Sequence, residues 1–217
     1  MNPRESLVLY VEAYWVSPWV CAVHVALREK GLSFATAVTV MRHGVGAIDQ
    51  MHERTLTGTA PVLQHGTFMI AESLAIVEYL EEVFPDPRLL PTDVRDRARA
   101  RQVMTWMRDG HQALRRERPA ERFFYPSRTP PAPLSTEGQR VADELVRVAT
   151  RLGADARGCL FGERFGIVDA ELGFALMRLT SSGAAVPAAV HAYVDAVCAR
   201  PSVREFLEHP RPPNPPA

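Results

Sequence analysis

Two runs of β-forming residues flank one capped helix near the start of the chain, and this arrangement limits the possible folds more than any other feature. Leu7-Val8-Leu9-Tyr10-Val11 predicts a strand across 6–12. Ser17-Pro18 then signals a helix start: serine caps an orphan amide, and proline loses nothing at the first helical position. The helix spans 18–30, with Val20, Val23, His24 and Leu27 on one side and Gly31 as its stop. Phe34 to Met41 follows as a second β-branched run. Strand, helix and strand at this spacing form a βαβ unit, whose strands run parallel.

The pattern then changes twice. Residues 45–56 read as a weak polar helix or an irregular segment, and Ala60-Pro61-Val62-Leu63 opens a strand. Gly66 turns the chain into Thr67-Phe68-Met69-Ile70, a hairpin, and Glu72-Ser73 opens a helix with Leu74, Ile76, Val77, Leu80 and Phe84 apolar. The order is βαβαββα. Phe84-Pro85-Asp86-Pro87 breaks it, and the rest is helical. One long helix is expected across 93–118, with eight arginines and four acids, followed by a loop from Pro119 to Pro133 with five prolines. Further helices start at Ser135 and near Gly166, cover 188–199, and follow Pro201. The predicted fold class is α/β followed by all-α. The domains are 1–84, a linker at 85–92, a helical domain at 93–209, and a proline-rich tail at 210–217 expected to be extended or disordered.

Charge and composition exclude several functions. Lys+Arg and Asp+Glu are each 25 of 217 residues, so bulk charge offers no case for nucleic acid or an anionic membrane. Lys30 is the sole lysine and sits in a polar helix end, which argues against Schiff-base chemistry. Three widely spaced cysteines, Cys21, Cys159 and Cys198, form neither a disulfide framework nor a Cys-x-x-Cys site. The histidines show no ligand pair at helical spacing, so no metal is expected. The apolar stretch 7–27 is interrupted by Glu12 and Ser17-Pro18, as suits a strand and buried helix rather than an anchor, and a cytoplasmic protein is expected.

Three features of the first domain fit one ligand. Ser17 places a hydroxyl at a positive helix end, which suits a thiolate. A cis Ala60-Pro61 bond would turn the Ala60 main chain toward an extended peptide. Glu72-Ser73 offers first-turn amides and a hydroxyl for a carboxylate, with the Glu72 carboxylate beside it for an ammonium. Each also has a plain structural reading: a cap, a trans turn proline, ordinary helix-start charge.

At these residues the sequence resembles the soluble glutathione transferases. Ser17-Pro18-Trp19, Ala60-Pro61-Val62-Leu63 and Glu72-Ser73 match the family's motifs, and Leu160-Phe161-Gly162 with Val168-Asp169-Ala170 resembles the start of its core helix. The cap of that helix is Gly166 where the family has Ser or Thr, and Asp169 can still bond back to the Gly166 amide. Arg97-Ala98-Arg99-Ala100-Arg101-Gln102, Trp106-Met107-Arg108 and Arg115-Arg116-Glu117-Arg118-Pro119 resemble the bacterial YfcF-type transferases.

The resemblance implies a thioredoxin-like first domain, glutathione as co-substrate, Ser17 as the catalytic donor to its sulfur, and Ala60, Pro61, Glu72 and Ser73 as its binding residues. It further implies a homodimer, for which the sequence itself offers a basic stretch, Arg95 to Arg101, able to face acids such as Glu78, Glu81 and Glu82. The partners implied are small electrophiles or peroxides, in detoxification or oxidative stress. Trp106, Arg108 and His111 are candidate liners of the electrophile site, and His43, Gln50 and His52 candidates for the glycine end of glutathione. Cys21, one turn past Ser17, reads as a buried small residue, with a reactive thiol as the alternative. Three activities stay open: conjugation, glutathione-dependent reduction of peroxides or disulfides, and non-catalytic binding.

Overall fold

The computed structural model describes residues 5–39, 54–125, 127 and 129–213. The segment 45–56, expected as a weak helix or irregular, falls mostly outside them, and His43, Gln50 and His52 lie outside them too. The chain divides into two compact units, residues 1–89 with 208–217, and residues 90–207.

The first unit is a four-stranded mixed sheet with two helices. Its elements are β1 (Leu7–Glu12), α1 (Pro18–Glu29), β2 (Ala35–Thr39), β3 (Val62–His65), β4 (Phe68–Ala71) and α2 (Ser73–Val83). The sheet order is β2-β1-β3-β4. β1 runs parallel to β2, as the βαβ spacing requires, and antiparallel to β3, which forms a hairpin with β4. Gly66 carries that turn at φ +59°, a region that a side chain disfavours. This is the thioredoxin-like arrangement. α1 is buried along its length from Val20 to Leu27, and α2 buries Ile76, Val77 and Leu80.

Lys30 does not sit in a solvated helix end. Its side chain is fully buried, and Nζ pairs with Glu81 Oε1 at 2.7 Å and donates to the carbonyls of Phe84 (2.7 Å) and Pro87 (2.9 Å). Glu81 also accepts from the Leu89 amide at 2.9 Å, so it is not a surface acid open to a partner's arginines.

The second unit is helical: α3 (Val94–Asp109), α4 (Gln112–Glu117), α5 (Glu121–Phe124), α6 (Thr136–Arg151), α7 (Ile167–Thr180), α8 (Ala188–Ala199) and α9 (Pro201–Leu207). The long helix expected across 93–118 is two helices. Its hydrophobic period continues through residue 114, but Gly110 ends α3 and buried His111 starts α4. Arg115 of α4 reaches back to the Met107 and Arg108 carbonyls, serving groups that α3 leaves unpaired at its end. The proline-rich loop holds the short α5, which was not expected. Asp93 and Ser135 cap α3 and α6 through their side chains. Glu117 ties the end of α4 to the start of α6, accepting from Ser135 N (2.7 Å) and Oγ (2.6 Å). α7 is the core helix, buried over most of its length. Gly173 lets α8 approach it closely: a Cβ there would lie 2.6 Å from Val197 Cγ1.

Among the described residues, no helix is long and apolar enough to cross a membrane.

Candidate functional site

The sheet register gathers the first unit's candidate residues at one end. Tyr10 of β1 faces Val62 of β3, so Glu12, two residues on, lies at the level of Ala60. Val62 in turn faces Ala71, the last residue of β4. The end of β1, the entry to β3 and the end of β4 therefore share one sheet edge. α1 follows β1 and α2 follows β4, so both helices start at that edge. Ser17, Ala60-Pro61 and Glu72-Ser73 are thus brought to one margin of the sheet, with two helix N-termini whose partial positive charge favours anions.

Ser17 caps α1. Its Oγ accepts from the Val20 amide at 3.4 Å and donates to no group among the described residues. The hydroxyl proton is thus available to a ligand. The loop that carries Ser17 is held from within by Glu12. This carboxylate is only 6% exposed and accepts from the amides of Tyr14 (2.7 Å), Val16 (2.7 Å) and Ser17 (2.8 Å). Burial pushes its carboxyl above the ordinary range, and the four amides from Tyr14 to Ser17 pull against that shift. Trp15 takes φ 51°, a region uncommon for a residue with a side chain. Its carbonyl accepts from Arg211 Nε (3.1 Å) and Nη2 (2.9 Å), and its ring stacks on His209 at 3.8 Å. The tail segment is therefore tied to the Ser17 loop through His209 and Arg211. Sequence reasoning missed Glu12, Arg211 and His209. An acid at a strand end, or an arginine between prolines, carries no local sign of its partner.

The Ala60-Pro61 peptide bond is cis, the geometry that the peptide-binding reading needed. Ala60 packs against the pair Val62 and Ala71. Glu72 has φ 69°, again a left-handed backbone with a Cβ, and its side chain caps no amide of α2. The residue is exposed, with Oε1 accepting from Thr59 Oγ1 at 2.9 Å. Ser73 is buried at the first position of α2. Cys21 is 1% exposed, facing the interior as expected.

Models of known families decide what these features belong to. The glutathione S-transferase N-terminal domain matches residues 13–88, and the glutathione S-transferase C-terminal domain matches residues 93–210. The chain belongs to the glutathione S-transferase family. A solved glutathione transferase homologue from a Burkholderia (BGR1), with glutathione bound, is 33% identical at TM-score 0.74, covering 94% of this chain and 96% of that one. Glutathione S-transferase 1 of Dianthus caryophyllus is 36% identical over 98 residues, 45% of this chain and 44% of the relative. A probable maleylacetoacetate isomerase of Vibrio cholerae is 39% identical over 88 residues, 40% of each chain. Matches to these curated relatives thus span less than half of their length.

The three residues considered for a transferase's electrophile site lie in the helical unit, at the end of α3. Trp106 is half-buried, its ring edge-on to His111 at 4.4 Å. His111 is buried, and its Nε2 has no hydrogen-bond partner among the described residues. Burial, then the charge of Arg115, lowers its pKa to about 4, so it is neutral at pH 7. Arg108 spends its guanidinium on Glu171 of α7, with two bonds of 2.7 Å, and on the Met104 carbonyl at 2.6 Å. Burial raises the Glu171 pKa, and this fork opposes the rise. As placed, Arg108 and His111 hold α3, α4 and α7 together.

Proposed function

We propose that this chain is a glutathione transferase whose sheet edge binds glutathione and whose Ser17 activates the thiol. The single observation that carries this reading is the shared margin of Ser17, Ala60-Pro61 and Glu72-Ser73, with the Ser17 proton unplaced. The Burkholderia homologue solved with glutathione adds support. In the proposed complex the Ala60 main chain pairs with the peptide, the α2 amides and Ser73 take the γ-glutamyl carboxylate, and Glu72 takes the ammonium. Ser17 Oγ–H donates to the sulfur. A thiol with pKa near 8.5 is only a few per cent ionised at neutral pH, and lowering it by about two units takes roughly 2.7 kcal/mol. One hydroxyl donor and a helix N-terminus are of the right size to supply that.

The resulting thiolate attacks an electrophilic carbon, a peroxide oxygen or a disulfide sulfur. The YfcF-like arginine motifs favour reduction of peroxides and disulfides at least as efficient as aryl-halide conjugation, hence a role in oxidative stress or detoxification. Similarity to a probable maleylacetoacetate isomerase favours a second reading, in which the thiolate adds to a conjugated double bond and leaves after bond rotation. A homodimer is part of the proposal on family grounds.

Ser17→Ala tests the assignment. Glutathione affinity should stay within about threefold, while the pKa of the bound thiol, followed by thiolate absorbance, rises by about one to two units as the donor is lost. An unchanged thiol pKa overturns the role. Glu72→Ala should weaken glutathione binding itself. Turnover of cumene hydroperoxide, a small disulfide, an aryl halide and a cis-dienone then ranks the four reactions.

A further inference from the structure

The helical unit carries a half-open cleft of about 290 Å³ that no part of the glutathione reading uses. Arg118 at the end of α4, Arg122 on α5 and Arg178 in the last turn of α7 line it, with Phe123, Pro119 and Pro131 as apolar wall. Arg178 is 6% exposed and Arg118 is 9% exposed. Buried guanidinium groups ordinarily face carboxylates. Among the described residues none of these three forms an ion pair with one. Glu117, next in sequence to Arg118, is committed to Ser135.

The hydrogen bonds leave the same surplus. A guanidinium has five N–H donors. Arg178 places one, on the Arg118 carbonyl at 2.5 Å. Arg118 places two, on the carbonyls of Glu117 (2.9 Å) and Ala132 (2.8 Å), and its buried Nε has no partner among the described residues. Arg122 has one long contact, 3.5 Å to the Thr129 carbonyl. The carbonyls at the end of α4 and in the loop after it absorb part of the positive charge, but most of the donors stay unplaced among the described residues. The hydroxyls of Ser181 and Ser182 donate to their own helix carbonyls, so they do not compete for an anion's acceptors. Burial, and then the charge of Arg115, lowers the Arg178 pKa to about 10, and the charge of Glu121, which forms no ion pair with it, opposes that shift only in part.

We propose that this cavity binds a phosphate monoester, its dianionic head among Arg118, Arg122 and Arg178 and its body against Phe123 and the prolines. Three guanidinium groups from three elements suit a tetrahedral head with three equivalent oxygens and two charges better than a planar carboxylate with one. The volume lies near the lower end of small-molecule sites, roughly 300 Å³, which admits a single-ring ester.

Calorimetry on the full chain in phosphate-free, low-salt buffer tests this with phenyl phosphate, inorganic phosphate and benzoate. Phenyl phosphate should bind tightest, inorganic phosphate next and benzoate at least tenfold more weakly than phenyl phosphate. Arg122→Gln, on an exposed and structurally uncommitted side chain, should weaken phenyl phosphate at least tenfold and leave glutathione-dependent turnover unchanged. Arg178→Gln should abolish binding, with thermal melting as the control for folding. Arg204→Gln, an exposed arginine on α9, should have no effect. Absence of heat with both phosphates at millimolar concentration, equal binding of benzoate, or equal weakening by Arg122→Gln and Arg204→Gln overturns the proposal.

Discussion

Glu12 and Asp169 are the same device used for opposite ends. Each is a buried carboxylate beside the entry to a helix, 6% and 1% exposed, and burial raises the pKa of each. Asp169 accepts from the Leu160 amide (2.9 Å), the Gly166 amide (2.8 Å) and the Tyr193 hydroxyl (3.1 Å). Those bonds fasten a loop and a neighbouring helix onto α7. Glu12 takes the amides of the loop before α1 and leaves the Ser17 hydroxyl proton unplaced. One carboxylate closes a core; the other stiffens a loop while keeping its functional group available. A buried acid that binds amides therefore says nothing of function until the groups it leaves unpaired are counted.

The largest effect expected from breaking this comparison is on stability. Asp169→Ala strands three buried donors at about 1–3 kcal/mol each, so a loss of at least roughly 3 kcal/mol in urea unfolding is expected. A loss under about 1 kcal/mol would mean that water replaces the carboxylate. The charge has a separate signature. Asp169 titrates at about 6 in the folded chain against 3.8 ordinarily, so its contribution is full below pH 4 and lost as pH rises through 6. His111, lowered to about 4, acts oppositely: its contribution is present above pH 6.5 and lost as pH falls toward 4. The two offset each other in wild type. Asp169→Asn should therefore expose a steeper acid-side loss, read as unfolding midpoint against pH, and His111→Gln a flatter one.

Glu12→Gln should move activity more than stability. The amide side chain keeps one acceptor and turns an NH2 toward a backbone N–H. A modest stability loss of about 1–2 kcal/mol is expected. Misplacing the Ser17 loop by a fraction of an ångström should lower kcat on the order of tenfold. Glutathione affinity should change less than threefold or so, because Ala60 and Glu72-Ser73 stand on other elements. Equal loss in kcat and affinity would make Glu12 a plain structural residue, like Asp169.

What the sequence reveals of the two regions follows the range of the interactions. Ser17-Pro18 and Ser135 are caps, bonds to amides three residues away, and are legible. Gly166-x-x-Asp169 is local in the same way. The βαβ unit and hairpin follow from period and turn residues, and the candidate glutathione residues lie at those same punctuation points. Lys30 and Glu81 read as solvated charges because their partner in each case is distant in the chain. The break at Gly110 was hidden because the apolar period runs on across it. Arg108 looked like a cleft residue because Glu171 lies on another helix. The second, electrophile-binding side is illegible for this reason: it depends on how side chains distant in sequence meet.

The smallest expected effect concerns the tail, where the loop's carbonyl rather than its amides is held. Glu12 binds the amides around Trp15, and Arg211 binds the Trp15 carbonyl through two N–H groups. With φ at 51°, Trp15 costs on the order of 1 kcal/mol of backbone strain, which these contacts must hold in place. Arg211→Gln loses one charged fork, worth about 1.5–3 kcal/mol when dry and less at this half-exposed position. The loop should then sample other conformers without unfolding. The expected result is kcat lower by roughly two- to threefold, with the glutathione dissociation constant unchanged and the bound-thiol pKa raised by a few tenths, far less than in Ser17→Ala. Combined with Glu12→Gln, the loss should exceed the product of the single effects, because both act on one loop. Strict multiplicativity in that double-mutant cycle would mean that tail and carboxylate hold the loop independently. Unchanged kcat in Arg211→Gln would leave Glu12 as the sole determinant of where Ser17 stands.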